Sequence, residues 1–442
     1  MLWLTGSPPV GAQVTAEPLT ITLQQFLAMV EDHSLDLSRA RTERRQAASE
    51  EAIARSATRP SIDARAGYTR NLIEIESTVA VGADTSGPGD FAPLVRDTVT
   101  VSSDNEFSAG VSLQQLLFDL RVFRALEASR QFISLTDTNY EVARQAVLTA
   151  AKKLYFRTIL LQEVLEVRRA AEELALENFE DVQQRHDAGV VAPLDLLRAE
   201  LNWKTTVPET SQANRNLEVA LSNLRNIAGI EPEQPIRLEG SLTEYPPMPD
   251  FPSLAQALAE RPDYRALQGM RSLREIEVAA GRAEFYPTLS GSLNWNWSAA
   301  DDGFSFDEDT QSLTAGLMLQ IPIYAGGGRA ARMRRAQLEV EKTDNSIQQK
   351  INDVQTELRN IELTLAEASE RIEFARQALE TAELAYSITE ISAESGVATQ
   401  LELKDARVSL VQAQLTRYSA IFDYLSAYFD WQAAVGRGAE GL

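Results

Sequence analysis

The chain has no cysteine, only two histidines, and no long apolar run among its 442 residues. Without cysteine there is neither a disulfide framework nor a thiolate zinc site. His33 and His186 lie far apart in sequence, and neither has a second metal ligand at a useful spacing, so we predict no metal and no cofactor. No stretch approaches the roughly 18 apolar residues of a transmembrane helix, which excludes a helical membrane protein.

Basic charge is also scarce. The chain has 42 lysines and arginines against 64 aspartates and glutamates, which gives a net charge of −22. Nucleic-acid binding needs lysine and arginine to displace counterions from phosphates, so we predict no nucleic-acid partner. No Ser/His/Asp or Cys/His set can be assembled, and the acids are too dispersed to suggest a general acid–base pair. The sequence therefore predicts that the protein is not an enzyme.

What the chain does contain is one pattern that occurs twice. The segment GVVAPLDL at 189–196 returns as GVATQLEL at 396–403, 207 residues later, and Gly229 returns in the same register as Gly436. Upstream, FSAGVSLQ at 107–114 returns as LTAGLMLQ at 313–320, at an offset of 206. A period this long indicates a duplicated half-molecule rather than a solenoid of short repeats, whose periods run to about 50 residues.

Each half contains a long helical hairpin. In the second half, apolar residues alternate at spacings of four and three from Ile347 to Ala382, which is the heptad seam of a supercoiled helix. The pattern predicts a long helix from about residue 329, and Gly396 marks its end. An apolar stripe resumes beyond that glycine, so a second helix returns to about residue 435. The first half carries a weaker copy at about 120–228, in which Pro208 is expected to kink the returning helix.

Four segments of alternating apolar and polar residues predict strands at about 60–70, 106–118, 287–298 and 311–324. One such segment would fit a half-buried strand of a soluble sheet. Four segments, each about as long as a tilted strand that crosses an outer membrane, favour a transmembrane barrel. The loops at 82–104 and 299–309 are rich in Gly, Asp and Ser, as extracellular loops are.

These features predict five regions along the chain. Residues 1–18 are interpreted as a signal-peptide remnant and N-terminal tail. A first repeat at 19–230 is followed by a Pro-rich connector at 231–252, a second repeat at 253–436 and a C-terminal tail at 437–442. Four strands cannot close a cylinder, and an open edge in hydrocarbon would leave backbone groups without partners, so several chains must share one barrel.

The residues at the junctions of these elements resemble those of one family. The strand-to-helix passages LQQLLFD at 113–119 and LQIPIYAGG at 319–327, the motif Arg261-Pro262-Asp263, and the turns at Gly189 and Gly396 resemble the TolC family of outer-membrane efflux proteins. The resemblance extends from about Leu19 to Gly436. It implies an α+β fold of duplicated helix-strand-strand-long helix-helix halves. A trimeric transmembrane β-barrel, with four strands per chain, would continue into an α-helical coiled-coil barrel.

The resemblance also implies a function. We expect a passive exit duct for small molecules in the outer membrane, with a periplasmic helical extension. Its expected partners are two further copies of the chain, outer-membrane lipid, a periplasmic adaptor and an inner-membrane efflux transporter. Type I protein secretion is the alternative within transport, and a periplasmic coiled-coil scaffold is the alternative from another class.

The carboxylates that ring the pore constriction in the family match Glu402, Asp405 and Asp195. Glu402 and Asp405 could instead be ordinary acids at a helix N-terminus, where they interact favourably with the helix dipole. The family's Tyr and Arg that latch the closed tip match Ala393 and Ala398. Because neither alanine can form those contacts, the closing contacts in this chain must differ.

Overall fold

The computed structural model describes residues 19–73, 76–83, 94–100, 103–302 and 309–439. The predicted signal-peptide remnant at 1–18 lies outside these residues, as do parts of the two predicted loops. The first half consists of β1 (Leu19–Ile21), α1 (Leu23–His33), α2 (Leu35–Ser56), β2 (Ser61–Arg70), β3 (Glu76–Ala83), β4 (Leu94–Thr100), β5 (Asn105–Phe118), α3 (Leu120–Asp187) and α4 (Pro193–Ala228). The connector contains β6 (Ile236–Leu238). The second half consists of α5 (Leu254–Glu260), α6 (Pro262–Ala283), β7 (Thr288–Asp301), β8 (Asp309–Gln320), α7 (Gly328–Glu394) and α8 (Gln400–Ala434).

The chain divides into two compact units, and each unit takes segments from both halves of the sequence. The helical unit comprises the described residues within Met1–Arg45, Leu135–Gly269 and Asp344–Leu442, and the sheet unit comprises those within Gln46–Ser134 and Met270–Thr343. The compact units therefore cut across the predicted repeats, because each long helix begins in the sheet unit and continues into the helical unit.

The core of the helical unit follows the heptad seam. In α7, the seam residues from Val354 to Leu379 are buried. Those from Val354 to Ala375 join one apolar cluster with residues of α1, α3, α4 and α8. Helices α3 and α7 have 68 and 67 residues, which corresponds to about 100 Å each at 1.5 Å per residue. Within the described ranges, no helix has the length and apolarity needed to cross a bilayer.

The glycine that occurs in both halves ends a helix against a closely packed neighbour. Gly229 follows α4 with φ 67°, and Gly436 follows α8 with φ 81°, a left-handed conformation that strains any residue with a Cβ atom. A Cβ on Gly229 would lie 2.7 Å from the His33 ring, and a Cβ on Gly436 would lie 2.6 Å from the Glu260 carbonyl oxygen. Glycine is therefore required at both positions by conformation and by space.

The main sheet of the sheet unit has the strand order β2-β5-β7-β8, and all its pairs are antiparallel. Its central pair, β5 with β7, joins the two halves of the sequence. The register places Ile62, Leu113 and Leu293 side by side across three strands, and likewise Val111, Trp295 and Leu313. The predicted alternation therefore produces one apolar face and one face of Ser, Asn, Thr and Gly that also carries Asp63 and Arg65 of β2.

Several predicted bounds were wrong. Strand β8 ends at Gln320 rather than at 324, because Pro322 has no backbone N–H to continue the ladder. Strand β7 continues to Asp301, beyond the predicted 298. An additional hairpin, β3–β4, lies partly within the region predicted as a loop, and β6 in the predicted connector pairs in parallel with β1. Helix α4 continues through Pro208.

Candidate functional site

The candidate site is formed by the two hairpin turns of the helical unit, between α3 and α4 and between α7 and α8. Gly189 and Gly396 stop the long helices with φ 78° and 76°. Val190 N–H then donates to the Arg185 carbonyl, and Val397 N–H to the Ser392 carbonyl, at 2.9 and 2.8 Å. These backbone bonds satisfy carbonyls that the helix ends leave free, so the same local geometry occurs in both halves.

Glu402 is held by the cap of its own helix. Its Oε2 accepts hydrogen bonds from the backbone N–H of Thr399 at 2.7 Å and from the Thr399 hydroxyl at 2.9 Å. The Glu402 N–H donates to Thr399 Oγ1 at 3.3 Å, which completes a capping box. The two bonds from Thr399, first the backbone N–H and then the hydroxyl, lower the pKa of Glu402. The capping box therefore orients the Glu402 carboxylate toward the turn.

The other two predicted carboxylates are less constrained. The Asp405 side chain is exposed one turn further along α8, and its backbone carbonyl accepts from the Ser409 hydroxyl at 2.8 Å. Asp195 lies in the first turn of α4, half-buried, with one Oδ1 3.5 Å from Arg198 Nη1. In the described chain, the side-chain bonds of these three acids stay within their own helices and caps.

The structure brings the two turns to a shared set of clefts. A cleft of about 530 Å³ lies between α4 and α8, lined by Arg198, Leu401 and Lys404 among others. A second cleft of about 730 Å³ lies between α3, α7 and α8, lined by Asn178, Glu390 and Leu403 among others. Both clefts include Arg407, so the site centres on a residue that the sequence analysis missed.

Arg407 links the two hairpins. Its Nη1 donates to the carbonyl oxygen of Leu174 in α3 at 2.8 Å, and its guanidinium lies 5.9 Å from the centre of the Tyr386 ring of α7. Its Nε is buried with no hydrogen-bond partner among the described residues. Tyr386 in turn donates to Glu390 Oε1 at 2.6 Å. Burial, and then the bond to Glu390, raise the pKa of the Tyr386 hydroxyl, so it stays protonated.

One sequence signal could have revealed Arg407. It lies four residues after the buried Leu403, on the same face of α8, where the apolar stripe would place another hydrophobic side chain. A guanidinium at such a position must find hydrogen-bond acceptors on the neighbouring helices, because burying an unpaired charge is costly.

The turns also expose apolar side chains. Val190 and Val397 are 77% and 81% exposed in the single chain, and Leu194, Leu197 and Leu401 are exposed beside them. Such a concentration of apolar surface is typical of an interaction site. No group of three or more His, Asp or Glu side chains in the described ranges could hold a metal ion.

Comparison with known proteins supports the resemblance that the sequence indicated. The family model described as outer membrane efflux protein matches residues 27–230 and 253–437. Several curated proteins are similar in sequence to this chain. The alkaline protease secretion protein AprF of Pseudomonas aeruginosa is 23% identical over 73% of this chain and 68% of its own length. The outer membrane protein TolC of Escherichia coli is 24% identical over 77% and 71%.

Among solved structures, the Campylobacter jejuni CmeC outer membrane channel matches with a TM-score of 0.77 at 19% identity, over 94% of this chain and 86% of that one. A second match is VceC of Vibrio cholerae, with a TM-score of 0.71 at 18% identity, over 95% and 97%. These likenesses confirm the predicted fold class, in which a sheet domain is combined with long helices.

Proposed function

We propose, on the premise that the chain belongs to the outer membrane efflux protein family, that it is a passive, trimeric exit duct for small molecules. It is an outer-membrane channel for efflux or secretion, as the resemblance predicted. The trimer, the cargo, the gate and the partner proteins are the parts that we propose.

The sheet supports assembly into a barrel. Strands β2 and β8 are its two edges, and every side chain of both strands is exposed in the single chain. Unpaired strand edges cannot remain in hydrocarbon, because their backbone groups would lack partners. If β8 of one copy pairs with β2 of the next, three copies give a closed barrel of twelve strands, which lies within the range of membrane barrels. The apolar face would contact lipid and the polar face would line the lumen.

The duplication supports the same assembly. We propose that residues 19–230 and 253–436 are two copies of one ancestral half, because each runs from a short helix pair through two strands of the main sheet to a long hairpin. Three chains would then supply six similar hairpins to the helical tunnel.

The hairpin turns are proposed to form the constriction. Three copies would bring six carboxylates from Glu402 and Asp405 around the axis, with Asp195 contributed by the other hairpin. A ring of acids favours cations and repels anions. Its support is the family position of these residues together with the lowered pKa of Glu402.

The exposed apolar turns support the proposed partners. Val190 and Val397 are suited to contact a periplasmic adaptor that connects the duct to an inner-membrane transporter, because exposed apolar side chains are buried at interfaces. Protein secretion is the second candidate, favoured by the relative named as an alkaline protease secretion protein. Cells that produce the protein can be tested for export of small dyes or antibiotics and for export of a polypeptide. Export of only one of these classes would distinguish small-molecule efflux from protein secretion.

The channel and its constriction can be tested by conductance in a planar bilayer. The double variant Glu402→Gln with Asp405→Asn removes both charges. Glutamine at position 402 still completes the capping box. We expect stable openings in the wild type, and a lower cation preference in the double variant because the ring would lose its charge.

Thr399→Ala is the matched control, because it removes the cap and keeps both carboxylates. It should lower thermal stability, by about 1 kcal/mol as for other N-caps, and leave the cation preference unchanged. Equal ion selectivity of wild type and double variant would contradict the constriction but not the duct. Folded protein that never forms channels would contradict the duct itself.

A further inference from the structure

Unpaired arginines are concentrated where the strands meet the helices of the sheet unit. Strand β2 begins, β5 ends, β7 begins and β8 ends at the same end of the sheet, since Ser61 pairs with Gln114 and Thr288 with Gln320. The adjoining segments, 51–60, 119–127, 281–287 and 321–335, contain nine arginines and four acids. This is a local excess of positive charge in a chain whose net charge is −22.

The four acids are all engaged by four of these arginines. Three of the pairs lie within one segment: Arg55 pairs with Glu51, Arg121 with Asp119, and Arg124 with Glu127. The fourth, Arg332 with Glu284, joins α7 to the end of α6. In the part of the chain that the structure describes, five arginine side chains form no hydrogen bond and no ion pair within 4 Å, although Arg329 interacts with Glu284 at longer range. We call them the arginine collar: Arg59, Arg282, Arg329, Arg334 and Arg335.

Local helix energetics do not explain these charges. Three collar arginines and Arg332 lie in the first eight residues of α7, and no acid lies in its first turn. A helix N-terminus carries a partial positive charge, so acids stabilise it and arginines destabilise it. Arg329 lies in that first turn with no acid beside it, which departs from local preference, and such departures usually mark a functional surface.

Exposed aromatic and apolar side chains lie at the same end of the sheet. Ile323 and Tyr324 are 93% and 86% exposed after β8, and Phe285 and Tyr286 are exposed before β7. Aromatic rings together with long basic side chains are typical of the boundary between a membrane and water. A site that binds soluble phosphate would not require these exposed apolar and aromatic side chains.

We propose that the arginine collar binds the phosphate groups of anionic phospholipids in the periplasmic leaflet of the outer membrane. The inference rests on the proposed insertion of the sheet in that membrane. Headgroup phosphates would lie against the guanidinium groups while the acyl chains continue along the apolar face of the sheet. Each arginine near an anionic surface contributes about 1 kcal/mol, or roughly fivefold in affinity. The collar would thereby fix the depth of the channel in the bilayer.

The test compares lipid binding by two variants of equal charge. Arg329→Gln/Arg334→Gln/Arg335→Gln alters the collar. Arg157→Gln/Arg215→Gln/Arg237→Gln removes three exposed arginines of the helical unit that also have no ion-pair partner among the described residues. Protein in neutral detergent is titrated with phosphatidylglycerol or phosphatidylcholine, and bound lipid is counted by native mass spectrometry.

We expect phosphatidylglycerol to bind wild type and control equally, and the collar variant to bind it at least tenfold more weakly. Phosphatidylcholine should show no such difference. Competition by inorganic phosphate alone, or equal losses in both variants, would overturn the proposal. Conductance of the same samples in phosphatidylcholine bilayers separates the two proposals: channels that open normally while the lipid difference is absent contradict the collar and leave the duct in place.

Discussion

At the residue scale, Glu402 shows how one side chain can serve its helix and a pore together. Its carboxylate accepts two hydrogen bonds from Thr399. These bonds agree with the alternative interpretation of Glu402 as an ordinary acid at a helix N-terminus. The same bonds lower the pKa of Glu402, so the negative charge that a filter ring requires persists to lower pH than in an ordinary glutamate. Glu402→Ala would therefore remove the hydrogen bonds of the cap and the negative charge together. Glu402→Gln removes the charge alone, so it separates the role in the helix cap from the role in the pore.

Arg407 gives the second prediction at this scale. Arg407→Gln should lose the charge-assisted bond to Leu174, worth about 1.5–3 kcal/mol, and loosen both hairpin ends. Hydrogen exchange measured by mass spectrometry should become faster in residues 171–200 and 385–410. The control is Arg185→Gln, which removes an exposed pair with Asp181 at the same cleft, worth under about 1 kcal/mol. Equal exchange in both variants would show that Arg407 does not hold the hairpins together.

At the element scale, the duplicated glycines differ in what surrounds them. Gly396 and Gly436 both have positive φ, but a Cβ on Gly396 has open space within 4 Å, whereas one on Gly436 meets the Glu260 backbone. Gly396→Ala should cost about 1–2 kcal/mol from conformation alone. Gly436→Ala should cost clearly more, because backbone atoms must move.

Thermal or denaturant unfolding of the two alanine variants would measure the difference. The same comparison can be made independently in the first half. Gly189→Ala places a methyl group in open space, whereas Gly229→Ala places one against the His33 ring. Similar losses at open and crowded positions would mean that the helix ends can shift to accept a methyl group.

The junction between α5 and α6 is tied to two long helices by charge. Arg261 donates to Asp263, to Glu357 of α7 at 2.7 Å and to the Ala434 carbonyl of α8 at 3.0 Å, and Lys350 lies 2.6 Å from Asp263. Burial alone would raise the pKa of Asp263, but the bonds from Arg261 and Lys350 lower it to about 2. The motif Arg261-Pro262-Asp263 is thus a structural joint of the helical unit.

This joint predicts a pH dependence of stability. The pKa of Asp263 is depressed in the folded chain, so its contribution is complete above the ordinary value near 4 and is lost as pH falls from about 4 to 2. The contribution is on the order of 2 kcal/mol. Asp263→Asn should therefore lower unfolding stability at pH 6 and remove most of this dependence.

The control for the joint is Asp430→Asn, which removes a more exposed pair with Lys153. We expect it to change stability by under about 1 kcal/mol and to keep the loss between pH 4 and 2. A loss of that pH dependence in the control as well would place its origin outside the Arg261 joint.

At the scale of the whole molecule, the absence of cysteine makes the proposed trimer directly testable. Arg65→Cys on β2 is combined in turn with Ser312→Cys, Thr314→Cys or Gly316→Cys on β8. Oxidation of membranes should join chains into covalent trimers in at least one combination, because β2 and β8 would pair between copies. Denaturing electrophoresis provides the measurement.

The control pair is Leu113→Cys with Leu293→Cys, which are register partners on the central strands. These cysteines should bridge within one chain and leave its mass unchanged. Covalent dimers without trimers, or no cross-links from any β2–β8 combination, would contradict the proposed closure.

The sequence by itself determined the features that depend on local period. Heptad spacing specified the long helices and their buried seam, alternation specified the two faces of the strands, and duplicated glycines specified where the helices stop. The motifs at the element junctions, above all 113–119 and 319–327, carried the resemblance to the family. The family and the outer-membrane location that this resemblance implied were confirmed. The type of residue at the candidate site, an acid in the first turns of α4 and α8, could also be predicted.

Only the tertiary structure decided how distant segments meet. The pairing of β5 with β7 across the two halves, the division of each half between two compact units, and the contact of Arg407 with α3 all join residues far apart in sequence. No local pattern encodes such contacts, because side-chain period reports which face of an element is buried and not which element covers it. Likewise, Arg407 lies at a position where period alone predicts an apolar residue, and only the neighbouring carbonyl of Leu174 explains its charge.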